Sequence, residues 1–287
     1  MSRRSWFGWL RFGRRPTVAV LRLAGVIGLA GPMPLRGGMS LSGLAGQIDR
    51  AFRLKHLSAV ALSVNSPGGS PVQSAQIAKR IRDLARERDV PVIAFVEDIA
   101  ASGGYWLACA GDEIFADSSS IVGSIGVVSA GFGFPELLAK LGVERRVHTS
   151  GTRKALLDPF RPEQPDDVAL LINLQQDIHE SFKAQVRDRR GRRLKADEAT
   201  LFNGEVWSGR RALELGLVDG LGDLRTVLRQ RFGDEVRLVP VGRQRSWLAR
   251  QLGPRSFWSD GWGGERDWAG ELIAALEARA LWGRYGL

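Results

Sequence analysis

The chain has 287 residues, of which 44% are hydrophobic and 25% are charged, and its formal net charge is +10. This composition is typical of a folded globular protein and excludes an intrinsically disordered chain. A single cysteine, Cys109, excludes an intrachain disulfide and any site built from several cysteines, and its place in an apolar run predicts a small buried side chain.

The amino-terminal segment, residues 1–16, is basic and aromatic. Its first 15 residues contain five arginines and no acid, together with the aromatic residues Trp6, Phe7, Trp9 and Phe12. Arginine interleaved with tryptophan suits an anionic membrane surface, so the segment predicts a peripheral membrane contact, with a disordered basic tail as the alternative. The next apolar run contains Arg22 and is too short to span a bilayer. We therefore expect a cytoplasmic or peripherally membrane-associated protein without a transmembrane helix.

Strands and helices alternate in the first half of the chain. Val18–Ile27, Ala59–Val64 and Pro91–Val96 are predicted as strands, and residues 71–88 between the last two have the apolar spacing of a helix. Strand, helix and strand with short joins predict a right-handed parallel βαβ unit.

Further elements follow in the second half. We predict a helix after Ser102, a short strand at Glu113–Phe115, and a helix from Pro135 that leads into a strand at Glu144–His148. A long amphipathic helix is predicted over Glu163–Arg190, with acids at its start, arginines at its end, and an apolar packing stripe of Leu171, Leu174, Ile178 and Phe182. The segment Glu205–Gly220 predicts a cap, a short helix and a glycine stop. Residues 236–287 form a Trp-rich tail that we interpret as a helical appendage.

The stretch A-A-S-G-G-Y-W, which contains Ser102, ends an apolar strand and begins a helix. Its serine is either a helix cap or a nucleophile. A nucleophilic serine needs a base, and His148 is the only plausible histidine. Lys154 is the other candidate, because a lysine kept neutral by burial can accept a proton, although its spacing alone favours a surface cation.

A second glycine pair follows the preceding strand in V-N-S-P-G-G-S-P, where Gly68 and Gly69 allow backbone N–H groups to point outward. The alternative is a tight turn without a catalytic role. Because turns after successive parallel strands lie at the same sheet edge, we expect this turn beside Ser102. The sequence therefore places a candidate nucleophile next to a candidate oxyanion hole.

Four motifs in order, N-S-P-G-G, A-S-G-G-Y-W, G-S-I-G-V and S-G-x-x-K, resemble the S49 serine peptidases, the signal peptide peptidase A or protease IV group, in their short single-repeat form. The resemblance covers roughly residues 17–232. It implies a ClpP/crotonase-type α/β fold, a βαβ superhelix, with a peptidase domain over residues 17–235.

The resemblance also implies roles for residues. Ser102 would be the nucleophile, Lys154 the general base and Ser124 a hydrogen-bond partner of the lysine. The oxyanion hole would be formed by the backbone amides of Gly68, Gly69 and Gly103. The implied substrates are short hydrophobic peptides such as cleaved signal peptides. The implied assembly is a homo-oligomeric ring whose active site is shared between subunits. No cofactor or metal is implied.

Three alternatives remain. A crotonase-type acyl-CoA enzyme would use the same paired amides, a catalytically inactive ring would bind peptides, and a Ser–His–Asp protease would use His148. The basic charge leaves nucleic-acid binding open, but no recognised motif supports it, and we expect no nucleic-acid partner.

Overall fold

The computed structural model describes residues 15–28, 38–151, 153–242, 282 and 285. The predictions for the basic aromatic segment and for most of the Trp-rich tail lie outside the described residues. Eight strands are present in the described part: β1 Thr17–Ala24, β2 Leu57–Ser66, β3 Val92–Ala101, β4 Glu113–Ala116, β5 Ile121–Gly123, β6 Val206–Ser208, β7 Gly220–Leu221 and β8 Arg237–Pro240. The α-helices described there are α1 Leu41–Phe52, α2 Pro71–Arg88, α3 Gly103–Ala108, α4 Pro135–Lys140, α5 Pro165–Arg190, α6 Glu198–Leu201, α7 Gly209–Leu215 and α8 Leu224–Phe232.

The strands form one largely parallel sheet. Its order is β6-β5-β3-β2-β1-β8, and β4 and β7 continue it beside the first half of β3. The pairings of β1 with β2 and of β2 with β3 are parallel, as the predicted βαβ units require, and only β5 with β6 is antiparallel among the described pairs. The carboxyl ends of β1, β2, β3 and β5 consequently share one edge.

Strand β3 changes its neighbour halfway along. Residues 93–96 pair with β4, whereas residues 99–101 pair with β5, and the register against β2 shifts between Val64 and Ser66. A bulge of this kind bends a strand and redirects its end. The change brings the end of β5, at Gly123, beside Ala101 and thus next to the residue that follows β3.

Both faces of the sheet are covered by apolar packing. The larger core includes the buried sides of α1, α2 and α3, while a smaller core beneath α8 contains Phe95, Val227 and Leu228. Helix α2 begins as the sequence indicates, with Pro71 in its first turn and the Ser70 side chain accepting the N–H of Gln73. Strands that are apolar on both faces are expected in a parallel sheet covered on two sides.

Several predicted elements occur with shifted bounds. The first strand ends at Ala24, and Ile27 forms only isolated bridges to Met39 and Gly69. The segment near residue 208 has the predicted cap and stop, since the Ser208 side chain accepts the N–H of Arg211 and Gly216 ends α7 with a φ of 79°.

The predicted strand at Glu144–His148 was wrong. These residues are exposed and irregular, and no described strand pairs with them, so their backbone lacks the partner that a strand requires. The predicted stripe of α5 is only partly a packing surface, because Phe182 is buried whereas Leu174 is 48% exposed. The carboxyl half of α5 therefore packs on the body and its amino half does not.

None of the helices in the described ranges has both the length and the apolar character needed to cross a bilayer.

Candidate active site

Ser102 lies between the end of β3 and the start of α3. Its carbonyl accepts the N–H of Trp106 at 3.1 Å, so the residue occupies the cap position, but its side chain caps no N–H of the helix. Its φ of 52° and ψ of −123° are unusual for a residue with a Cβ. Such a conformation costs on the order of 1–3 kcal/mol and is concentrated at functional sites. Ser102 is thus the N-cap residue of α3 by its backbone alone, and its hydroxyl group does not take part in capping the helix.

The turn after β2 lies directly against Ser102. A Cβ placed on Gly68 would lie 2.8 Å from Ser102 Cβ and 3.0 Å from the amide nitrogen of Gly103. The same turn is hydrogen-bonded to the segment that follows β1, since Ile27 N–H donates to the Gly68 carbonyl at 2.8 Å and Ser70 N–H donates to the Ile27 carbonyl at 2.8 Å. The two glycine turns are therefore neighbours, as the sequence predicts.

The three amides predicted for an oxyanion hole differ in their hydrogen bonding. The Gly68 N–H donates to Ser66 Oγ at 3.2 Å. The N–H groups of Gly69 and Gly103 have no acceptor among the described residues. The N–H groups of Gly69 and Gly103 are therefore available to an acceptor, whereas that of Gly68 is already hydrogen-bonded.

Ser124 lies at the same edge, because β5 ends beside β3. Ala101 pairs with Gly123, and the Ser102 N–H donates to the Gly123 carbonyl at 2.8 Å. Ser124 itself has a φ of 53°, and its N–H donates to the Glu205 carbonyl at 2.7 Å. The structure therefore brings Ser102, Ser124 and the Gly68–Gly69 turn together.

Two contacts of the Ser124 loop involve residues that the sequence did not assign to the site. The Tyr285 hydroxyl donates to Ser124 Oγ at 3.2 Å. His179 Nε2 lies 3.1 Å from the Ile125 carbonyl. Neither residue belongs to one of the four motifs, and the sequence around His179 indicates only an amphipathic helix.

Lys154 is not brought to Ser102 within the single chain. It is exposed, its backbone N–H donates to the Gly151 carbonyl at 3.3 Å, and its amine makes no hydrogen bond or ion pair in the described part of the chain. His148 is exposed as well. Neither candidate base, Lys154 or His148, therefore makes a hydrogen bond to Ser102 or Ser124 in the described part of the chain.

Lys154 belongs to a segment that we call the arm, residues 128–164. No described residue of the arm is buried. Its own packing is limited to a small aromatic group, in which Phe134 and Phe160 have ring centroids 5.7 Å apart and Arg145 lies 4.7 Å above the Phe160 ring. Many of its large apolar side chains are exposed: Val128, Phe132, Phe134, Leu137, Leu141, Val143, Val147 and Phe160. Such a surface is typical of a protein–protein interface.

Other reactive side chains have structural roles. Cys109 is buried as predicted, and burial raises the pKa of its thiol to about 11, which makes it unreactive. The Tyr105 hydroxyl donates to the Leu217 carbonyl at 2.8 Å and is fully buried. The described residues contain no group of three or more His, Cys, Asp or Glu side chains arranged to hold a metal ion.

A groove of about 560 Å³ lies away from these residues, beside the bulge of β3 and the start of α8. The carboxylate of Glu97 lies in the wall of this groove. It accepts hydrogen bonds from the Arg22 guanidinium at 3.0 Å and from the Ser63 hydroxyl. Burial tends to raise the pKa of Glu97, but the hydrogen bonds from Arg22 and Ser63 and the Arg22 charge lower it overall. These contacts stabilise the bulge, and none of the candidate site residues lines the groove.

Comparison with known proteins shows which chains this one resembles. The model of the family described as "Peptidase family S49" matches residues 84–234. A putative signal peptide peptidase SppA from Enterococcus faecium is 32% identical over 177 residues, which cover 61% of this chain and 51% of that protein. A Brucella abortus protein named Na(+)/H(+) antiporter NhaA is 51% identical over 274 residues, which cover 94% of this chain but 37% of that protein. The chain thus spans between about a third and a half of these relatives.

Among solved structures, a membrane-bound stomatin-specific protease, 1510-N, superposes with a TM-score of 0.50 at 16% identity, covering 80% of this chain and 99% of that one. This likeness concerns the fold alone. Together with the family match it confirms the α/β fold of ClpP/crotonase type that the motifs imply.

Proposed function

The chain belongs to peptidase family S49, and we propose that it is a serine endopeptidase with Ser102 as nucleophile and Lys154 as general base. The observation that carries this proposal is the strained Ser102, whose hydroxyl caps nothing and which lies against the Gly68–Gly69 turn. A strained turn between a strand and a helix is a recurring way to expose a nucleophilic serine.

The mechanism is acyl transfer. Neutral Lys154 takes the proton of Ser102 Oγ, and Ser102 attacks the peptide carbonyl carbon. The amides of Gly69 and Gly103 donate to the oxyanion, and that of Gly68 would join them if it left the Ser66 hydroxyl. Lys154 then gives its proton to the leaving amine, and water hydrolyses the acyl-enzyme with Lys154 again as the base. No cofactor takes part in these steps.

We propose that Lys154 acts on Ser102 of a neighbouring subunit. An exposed lysine amine in water is protonated at neutral pH, so it can act as a base only after it is desolvated. The exposed apolar side chains of the arm supply a reason for assembly, which would bury Lys154 at the same time. Ser124 Oγ would then orient the lysine amine. A homo-oligomeric ring with shared active sites fits these requirements.

The proposed substrates are short hydrophobic peptides such as cleaved signal peptides. The family resemblance supports this class, and the Enterococcus relative bears the name signal peptide peptidase. The antiporter name belongs to a protein of which only 37% matches this chain, so it assigns no transport activity here.

We further propose that residues 1–16 attach the protein peripherally to an anionic membrane, on the strength of their arginines and tryptophans. Co-sedimentation of the full chain with vesicles of anionic phospholipid at low salt tests this attachment, and a chain that stays in the supernatant would contradict it.

The experiment that tests the catalytic assignment is hydrolysis of a hydrophobic peptide ester by the full chain and by three variants. Ser102→Ala and Lys154→Ala should each lose several orders of magnitude in kcat/KM, because residues that act as a unit fail together. His148→Ala should retain activity. Full activity in Lys154→Ala with loss in His148→Ala would favour the Ser–His–Asp alternative, and binding of coenzyme A without Ser102-dependent hydrolysis would favour a crotonase-type enzyme.

A further inference from the structure

His179 on α5 holds the loop that carries Ser124. Its Nε2 lies 3.1 Å from the Ile125 carbonyl oxygen. A carbonyl oxygen can only accept, so the imidazole must donate through Nε2–H. His179 is half-buried, and the Ile125 side chain is fully buried in the main core. The contact therefore joins a long helix to the residue directly after Ser124.

The Ser124 loop has few other supports. Residues 123 and 124 both have positive φ angles, 116° and 53°. The backbone of the loop is held by the Ser102 N–H on the Gly123 carbonyl, by the Ser124 N–H on the Glu205 carbonyl, and by a tight turn in which the Gly126 N–H donates to the Ser124 carbonyl at 3.0 Å. The Ser124 hydroxyl also accepts the Tyr285 hydroxyl at 3.2 Å. The described hydrogen bond from an α5 side chain to this loop is that of His179. A strained backbone persists only where its surroundings fix it.

The same loop is hydrogen-bonded to the backbone of Ser102. The Gly123 carbonyl that accepts the Ser102 N–H belongs to the peptide group directly before Ser124. A shift of the Ser124–Ile125 backbone would therefore change the direction of the Ser124 hydroxyl. It would also move the carbonyl that holds the Ser102 backbone. Displacements of this kind slow a reaction without necessarily changing how tightly the substrate binds.

We infer that His179 is a positioning residue of the active site, which fixes Ser124 and, through Gly123, the orientation of Ser102. The inference rests on the proposed function for its catalytic consequence, while the effect of His179 on the loop is independent of it. His179 contacts no reacting atom in this arrangement, and its role is the N–H that it donates to the Ile125 carbonyl.

Three variants of the full chain test the inference. His179→Leu removes the N–H donor and replaces the imidazole with an apolar side chain of similar size. His179→Gln places an amide N–H donor at a similar distance from the helix backbone. Ser181→Ala is the control, since Ser181 is exposed on the same helix and its hydroxyl donates only within it, to the Asp177 carbonyl. Two measurements are made on each: hydrogen exchange of the backbone amides of Ser102 and Ser124, and kcat and KM for a hydrophobic peptide ester.

In His179→Leu we expect amide exchange at Ser124 to be faster by about tenfold and kcat to fall by a similar factor, with KM unchanged, because one partly buried hydrogen bond is lost. His179→Gln should have amide exchange and kcat close to those of the wild type, and Ser181→Ala should show neither change. Unchanged exchange at Ser124 in His179→Leu would overturn the inference, as would an equal loss of kcat in the leucine and glutamine variants.

The two proposals can fail separately. A wild-type chain without Ser102-dependent hydrolysis would contradict the proposed peptidase, whereas the exchange measurement would still decide whether His179 holds the loop.

Discussion

The backbone of Gly68 passes so close to Ser102 that a Cβ at residue 68 would lie 2.8 Å from Ser102 Cβ. Gly68 also has a φ of 111°, which residues with a side chain rarely adopt. The contact explains why glycine is needed at this position irrespective of any role of its amide. It also joins the two turns that the proposed chemistry requires.

We therefore expect Gly68→Ala to destabilise the protein by about 1–3 kcal/mol and to slow the reaction of Ser102, because the added methyl group displaces the serine and the backbone is strained. Urea unfolding measures the stability, and labelling by a fluorophosphonate probe measures the reactivity of the serine. Gly46→Ala is the matched control: Gly46 lies within α1 with open space around it, so alanine should leave labelling unchanged and stabilise slightly. Equal labelling of Gly68→Ala and wild type would contradict the proposed geometry.

A mixture of inactive variants tests whether the active site is shared. In a ring where Lys154 acts on the neighbouring Ser102, random co-assembly of equal amounts of Ser102→Ala and Lys154→Ala should restore about one quarter of the wild-type sites, because each site takes its two residues from different chains. The measurement is peptide-ester hydrolysis after the two proteins are dissociated and reassembled together. Each variant treated alone is the control. If the dyad lay within one chain, no activity would return.

Assembly should depend on the exposed apolar side chains of the arm. Phe132 is 82% exposed and Leu141 is 66% exposed in the single chain. Replacing both with serine should yield a folded monomer with little activity, since the oligomer loses its apolar contacts while the core is untouched.

Sedimentation velocity gives the assembly state, and thermal unfolding shows whether the subunit fold is retained. Arg146→Ser is the control on the same arm, because Arg146 forms only an exposed ion pair with Glu144 and should be nearly neutral. An active monomer from the double variant would contradict an active site that is shared between subunits.

The buried ion pair between Arg190 and Asp219 should make stability depend on pH. Arg190 donates to both carboxylate oxygens of Asp219, at 2.6 and 3.0 Å, and its side chain is 1% exposed. Burial tends to raise the pKa of Asp219, but the hydrogen bonds and charge of Arg190 lower it overall. A lowered pKa in the folded state means that this stabilisation is present above the ordinary aspartate pKa of about 3.9 and is lost as the pH falls through the folded value.

Asp219→Asn should therefore lower the free energy of unfolding at pH 7 by about 3–5 kcal/mol, because it leaves a buried arginine without its counter-charge. It should also weaken the loss of stability as the pH falls below about 3.9. Urea unfolding across this range measures both effects. Asp197→Asn is a control, since Asp197 is an exposed helix cap and asparagine caps a helix about as well as aspartate, so this variant should be nearly neutral. A variant with the wild-type pH profile would show that other carboxylates govern acid unfolding.

Much of this architecture follows from local patterns. The runs that end near Ala24, Ser66 and Ala101 are apolar and alternate with helical segments, which suffices for a parallel sheet whose turns share one edge. The short strands were harder to predict: β5, β6 and β7 have two or three residues each, too few for a periodic signal. Glu144–His148 has a strand-like sequence but no partner in the described chain, so the pattern alone predicted a strand that does not form.

The sequence by itself determined the parallel α/β framework, the order of the motifs and the choice of Ser102 as the candidate nucleophile, because these depend on neighbours along the chain. The tertiary structure alone decided that the Ser102 hydroxyl caps nothing, that Ser124 lies beside Ser102, and that His179 donates to the Ile125 carbonyl directly after Ser124. Those relations join residues far apart in sequence, and they arise where β3 changes partner and where His179 of α5 contacts the loop after β5. The exposure of Lys154 belongs to the same class, since burial depends on which surfaces meet.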